Sequence, residues 1–123
     1  KVYNQLKKIH NIKITILDLV SVNPLDKKQI LQVAKKHNKI LIIDIDHQKN
    51  GLASEIHSII NEKFKSKTVY KLGNQFLPAP VSIELEKLFY PSTQVIYNKC
   101  CELLEIKDRK KILDDNDNFF GPY

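Results

Sequence analysis

Apolar positions in this chain change their spacing several times, and turn-forming or capping residues mark each change. Val2, Leu6 and Ile9 recur at helical intervals, which predicts an amphipathic helix already under way at the first residues. The run Ile14-Thr15-Ile16-Leu17-Asp18-Leu19-Val20 is rich in branched aliphatics and predicts a strand. It stops at Asn23-Pro24, where proline lacks a ladder donor and keeps its predecessor extended. Asp26 opens a second helix, with Gln29 three positions on as the other half of a capping box. Ile30, Leu31 and Ala34 form its apolar side, Lys27, Lys28, Lys35 and Lys36 its wet side, and Asn38 ends it.

From Ile40 to Ile45 the sequence is nearly continuous in aliphatics, as in a parallel strand covered on both faces. Helices on both sides of a sheet follow from that. Asp44, Asp46, His47, Gln48, Lys49 and Asn50 crowd the carboxyl end of this strand, and Gly51 admits a helix carrying Leu52, Ile56, Ile59 and Ile60 to about Phe64. Open α/β sheets put ligands and partners at that edge. Thr68-Val69-Tyr70-Lys71-Leu72 predicts a further strand closed by Gly73-Asn74. Gln75 to Val81, with two prolines, predicts an ordered loop. Ser82 is expected to cap a short helix through Leu88, and Ser92 a longer one with Ile96, Cys100, Leu103 and Leu104 toward the core. The fold class is therefore α/β, three layers with helices on both faces of a mostly parallel sheet.

Composition narrows the function classes. A chain of 123 residues, 42% hydrophobic, makes one domain with a modest core. No apolar run approaches the roughly 20 residues that span a bilayer, so no membrane role is expected. The formal charge of +6 comes from 19 lysines and Arg109 alone, set against 14 acidic residues. Lysines scattered over helix faces, without the arginine forks that read bases, predict a solvated surface and no nucleic-acid partner. The two cysteines, Cys100 and Cys101, are neighbours that diverge by about 100° on a helix. Free thiols in a reducing compartment are expected, and with them an intracellular, cytoplasmic location.

Candidate chemistry is sparse. Asp44 and Asp46 share one strand face while His47 points elsewhere, so three ligands do not converge and no metal site is expected. Ser54 follows no nucleophile elbow, and neither cysteine has a histidine at readable spacing. His10, His37 and His57 fall on helices or their ends and are expected to be structural. The amino terminus of the helix after Gly51 is the one position suited to an anion. No catalytic or cofactor-binding residue is assigned; the interface candidates are His47, Gln48 and Gly51 at the sheet edge. From Ile106 onward, Lys107 to Lys111 and Asp114 to Asp117 read as a charged tail, closed by Phe119, Phe120 and Tyr123. Those three aromatics would each gain on the order of 2 kcal/mol on burial, so the terminus is expected to dock on this domain or a partner.

Asp18, Pro24-Leu25-Asp26, Lys39 to Asp46, His47-Gln48 and Gly51-Leu52-Ala53-Ser54-Glu55-Ile56 follow one another at a spacing that resembles the carboxyl-terminal domain shared by transketolases and the beta subunits of 2-oxoacid dehydrogenases. Pro78-Ala79-Pro80, Leu85-Glu86, Tyr90-Pro91 and the helix after Ser92 resemble the proline loop and closing helix of the beta subunits in particular. The resemblance spans residues 1 to 105, with 106 to 123 as a tail. Ala53 departs from it, standing where a second glycine is often found. The resemblance implies strands ahead of the first helix, one of them central, between the strands at Ile14–Val20 and Ile40–Ile45. The chain is accordingly expected to be a fragment, or an incompletely observed product, of a longer polypeptide.

The resemblance further implies the assembly domain of a pyruvate dehydrogenase-like beta subunit, in an enzyme that decarboxylates a 2-oxoacid oxidatively and passes the acyl group to lipoyl. Thiamine diphosphate and Mg would be bound by the complete enzyme and not by this chain alone, which is expected to be inactive by itself. The implied partners are an alpha subunit, a second beta subunit in a heterotetramer, and the lipoyl acyltransferase core. The alternatives are the same domain of a transketolase or a deoxyxylulose-phosphate synthase, or a stand-alone α/β binding module without catalysis.

Overall fold

A computed structural model of the chain describes residues 1–112. Phe119, Phe120 and Tyr123, the aromatic terminus expected to dock, lie outside the described residues. Helices α1 (Val2–His10), α2 (Lys27–Lys35), α3 (Leu52–Lys63), α4 (Ile83–Phe89) and α5 (Thr93–Leu103) accompany strands β1 (Lys39–His47) and β2 (Thr68–Asn74). β1, α3 and β2 form a parallel crossover unit in which Lys39 to Ile43 pair with Thr68 to Leu72, and the register shifts before His47 meets Asn74.

The continuous aliphatic run does place helices on both faces. Ile40, Ile42 and Val69 pack on one side with Ile30 and Ala34 of α2 and Ala53, Ile56 and Ile60 of α3. The intervening Tyr70 turns to the other side, where the Lys99 ammonium of α5 sits 4.7 Å from its ring centre. A second core lies under α1 and α5, built from Leu6, Tyr97, Cys101 and Ile112. The layers are therefore α2–α3, sheet, α1–α5. Among the described residues no helix is long and apolar enough to cross a membrane.

Local signals are realised where they concern neighbours in sequence. The Asp26 carboxylate accepts from the Gln29 backbone N–H at 2.9 Å, and the Ser92 hydroxyl accepts from that of Val95 at 3.3 Å. Ser82 starts α4 without a side-chain cap. On α5 the buried residues are Tyr97, Cys101 and Leu103; Leu103 was expected there, whereas Ile96, Cys100 and Leu104 are only half-buried. The charged segment after Ile106 returns to the core: Ile112 is buried, and its N–H donates to Gln94 Oε1 at 2.7 Å.

The strand expected over Ile14–Val20 is not formed. No backbone group between Ile12 and Val20 has a hydrogen-bond partner among the described residues, although Ile12, Ile14, Leu17 and Leu19 are half-buried between exposed neighbours. The physical reason is the lack of an adjacent ladder. Among the described residues β1 pairs with β2 alone, and a cavity of about 650 Å³ separates its other edge from Ile12–Leu19. Ile96, Cys100, Leu103 and Leu104, the residues first assigned to the core, line that cavity.

Burial, reinforced by the neighbouring Cys101, pushes the Cys100 thiol up from its ordinary value near 9 to about 11. The folded thiol keeps its proton where the unfolded one has lost it, so stability is unaffected below about pH 8 and falls as pH rises toward 11. Iodoacetamide at pH 8.5 is expected to alkylate Cys100 at least tenfold more slowly in the folded chain than in urea, read by mass spectrometry.

Candidate functional site

The polar residues at the carboxyl edge of β1 are drawn together by two close backbone approaches. A Cβ on Gly51 would lie 2.7 Å from the His47 carbonyl oxygen, and one on Gly73 2.7 Å from that of Asp46. Glycine is needed at both positions because the chain folds back on itself there. Gly51 N–H donates to the His47 carbonyl at 3.0 Å, and Gln48 N–H to the Asn74 carbonyl at 3.0 Å, tying the edge of β1 to the start of α3 and the end of β2.

Asp44 and Asp46 share the face toward α3, as strand alternation requires. Asp44 Oδ2 accepts from the Ala53 N–H at 3.1 Å, and its Oδ1 from the Asp46 N–H at 3.2 Å. The amino terminus of α3, read from sequence as a place for an anion, thus holds the chain's own carboxylate, and the helix dipole favours it there. Asp46 Oδ1 accepts from the backbone N–H of His47 at 2.6 Å. Ser54 donates toward the carbonyls of Gln48 and Lys49 at 3.1 and 2.7 Å, and accepts from the Lys71 ammonium at 3.0 Å.

His47 leaves this cluster. Its Nδ1 lies 2.9 Å from the Gln75 carbonyl, which can only accept, so Nδ1 carries the proton and Nε2 is left with its lone pair in the neutral ring. The ring packs edge-on against Phe76 at 5.1 Å and faces Phe89 at 6.5 Å. Gln48 reaches across to donate to the Lys71 carbonyl at 3.0 Å. His47, Gln48 and Gly51 therefore sit at one edge, and each already has a partner that holds the β1–α3 turn or the loop after β2.

That loop and α4 present an apolar surface beside His47. Phe76, Leu77, Ile83, Leu85 and Leu88 are exposed, and α4 buries none of its residues. Sequence reasoning took this segment as a loop and a capped helix and missed the surface; the signal was present in Ile83, Leu85 and Leu88, which have no helical neighbour to cover them. It also missed Asn74, 3% exposed, whose side-chain amide donates to the Ile45 carbonyl while its Oδ1 is unpartnered. His10, expected to be structural, lies 3.0 Å from the Tyr97 hydroxyl through Nε2. Among the described residues no three His, Cys, Asp or Glu side chains are grouped to hold a metal. The arrangement can shape a surface; it brings no nucleophile and base together.

The family model described as transketolase, C-terminal domain, matches residues 1–96. The chain belongs to that family. The pyruvate dehydrogenase E1 component subunit beta of Saccharomyces cerevisiae is 24% identical over 106 residues, 83% of this chain and 29% of that protein. The corresponding subunit of Cyanidium caldarium is 33% identical over 96 residues, covering 75% of this chain and 29% of its own length. The 1-deoxy-D-xylulose-5-phosphate synthase of Campylobacter fetus is 34% identical over 67 residues, 54% of this chain and 11% of that enzyme. The chain thus spans less than a third of the length of these relatives.

Asp44→Ala is expected to cost about 1–2 kcal/mol in urea unfolding, because the Ala53 N–H loses its acceptor at a half-buried helix start.

Proposed function

We propose, with membership of the transketolase carboxyl-terminal domain family as the premise, that this chain is the assembly domain of the beta subunit of a 2-oxoacid dehydrogenase. The enzyme would be thiamine diphosphate-dependent, decarboxylating a pyruvate-like 2-oxoacid oxidatively with acyl transfer to lipoyl. The observation that carries the reading is the division of the carboxyl edge. Its polar side chains are occupied in holding the β1–α3 and β2 turns, while Phe76, Leu77, Ile83, Leu85 and Leu88 next to them are exposed. An edge of that kind suits burial against another subunit better than catalysis. The extent of the similarity favours a beta subunit over a deoxyxylulose-phosphate synthase, since it covers 83% and 75% of the chain in the two beta subunits and 54% in the synthase.

The described residues do not fit a thiamine diphosphate site. The helix terminus best suited to a diphosphate carries the Asp44 carboxylate, which would repel it. In this reading the cofactor and its Mg belong to other domains of the complete enzyme, where the cofactor supplies the carbanion chemistry. The contribution of residues 1–105 is to hold the interface with an alpha subunit and a second beta subunit inside the cell. His47 positions Phe76 and Phe89 for that contact, and Gln48 and Gly51 fix the turn behind it.

Two substitutions test the interface. Leu88→Glu, at a position 83% exposed on α4, is expected to weaken association with the alpha and second beta subunits at least tenfold in sedimentation or co-purification, with chain stability changed by no more than about 0.5 kcal/mol. His47→Glu should weaken the same association by turning a carboxylate toward the Gln75 carbonyl and the aromatic pair. Unchanged assembly in both would remove the reading, as would a natural product that carries neither partner nor thiamine diphosphate when isolated.

A further inference from the structure

Lysines that are scattered along the sequence are gathered by the fold. Residues 1–17 and 106–112 carry eight of the 20 basic residues and one of the 14 acidic ones, leaving 12 basic and 13 acidic residues in the rest of the sequence. The formal excess of +6 therefore belongs to two segments far apart in the chain. They lie side by side on α5. Leu6 of α1 and Ile112 are buried in one cluster with Tyr97 and Cys101, and Val2, Ile14 and Ile106 pack against it. From α1, His10 reaches the Tyr97 hydroxyl at 3.0 Å. The later segment is pinned along the same helix, by the Ile106 N–H on the Cys101 carbonyl at 2.9 Å and by Gln94 Nε2 on the Lys110 carbonyl at 3.4 Å.

With the apolar residues turned inward, Lys7, Lys8 and Lys13 on the first segment and Lys107, Arg109, Lys110 and Lys111 on the second are exposed. None of these seven forms an ion pair among the described residues. The acids at the carboxyl end of α5 are already engaged, Glu102 by Lys99 at 3.0 Å and Glu105 by Lys39 at 2.6 Å, which leaves Asp108 as the acid of this face. The helix dipole accounts for Lys7 and Lys8 in the last turn of α1, but not for Lys107 to Lys111, which lie outside any helix. Like charges held together without counter-charges raise the local potential and draw in a surface of opposite sign. We infer that the joint face of α1 and Ile106–Ile112 docks an acidic stretch of a partner polypeptide. Carboxylates on a polypeptide are the chemistry that fits. Arg109 is the single arginine of the chain, so the paired forks that grip nucleic acid are missing, and α1 commits Val2 and Leu6 to the core, which leaves no apolar side to enter a bilayer. The inference is independent of the reading of the carboxyl edge.

The probe is a fluorescent twelve-residue peptide of alternating glutamate and serine, titrated with the 123-residue chain and followed by polarisation. Raising the salt from about 0.05 M to about 0.3 M is expected to weaken binding at least tenfold, because screening shortens the reach of exposed charges. Lys107→Gln, Arg109→Gln, Lys110→Gln and Lys111→Gln together are expected to weaken it at least tenfold, and Lys7→Gln, Lys8→Gln and Lys13→Gln together at least threefold. Lys27→Gln, Lys28→Gln, Lys35→Gln and Lys36→Gln lower the net charge as much as the first set, from the opposite layer of the domain, and are expected to change binding less than twofold. Urea unfolding of each variant ensures that binding is read on folded protein. The inference is overturned if the peptide does not bind, if the set at Lys27 to Lys36 weakens binding as much as the set at Lys107 to Lys111, or if the set on the first segment leaves binding unchanged. A single-stranded RNA or phosphatidylserine vesicles that bind more tightly than the peptide and displace it would make the partner a nucleic acid or a membrane and equally overturn it.

Discussion

The rest of the structure depends on the requirements of one parallel strand. β1 is aliphatic from Ile40 to Ile45 except for Asp44, and such a strand needs an apolar layer on each face and a ladder on each edge. Both faces are supplied within the chain, by α2–α3 and by α5 with α1 behind it. One edge is supplied by β2. Among the described residues the other edge is unpaired, and the consequences run through the fold: Ile43 is 48% exposed despite its place in an aliphatic run, Ile12–Val20 has no ladder there, and one side of α5 looks into a cavity.

The same strand explains why the carboxyl edge is polar and yet offers no chemistry. Where β1 emerges from between the layers, its backbone turns sharply into α3, and that turn needs donors and acceptors at close range. Asp44 supplies the acceptor for the helix start, Ser54 closes the turn onto Gln48 and Lys49, and Lys71 comes across from β2 to Ser54. These side chains are held by hydrogen bonds within the edge, which leaves the apolar residues of the following loop and α4 as its exposed feature. A surface built of Phe76, Leu85 and Leu88 beside a fixed histidine ring gains by being covered.

What could be read from sequence follows the range of the interactions involved. The cap of α2 by Asp26, the start of α5 at Ser92, the helix of Val2, Leu6 and Ile9, and both strands of the crossover were legible because each is set by residues a few positions apart. Gly51 and Gly73 were legible as punctuation, but their close approach to the backbone of His47 and Asp46 was not. The use of Asp44 as the cap of α3 joins residues nine apart across a turn and carries no local signature. The β propensity of Ile14–Val20 was equally clear, and it failed to produce a strand because a strand is completed by its neighbour. Propensity there meets no ladder partner among the described residues.

That difference between propensity and pairing concerns the strand on which the carboxyl edge is built. Ile12–Val20, α5 and the carboxyl edge all border β1, and that strand links them. The linkage has a direction. α5 packs on both β1 and β2, and α3 follows the turn that seats Gln48 and Ser54, so the packing of β1 sets the base on which His47 contacts Phe76 and Phe89. An apolar surface mounted on such a base depends on how firmly β1 is packed, since Phe76 and Phe89 meet the His47 ring at the end of that strand.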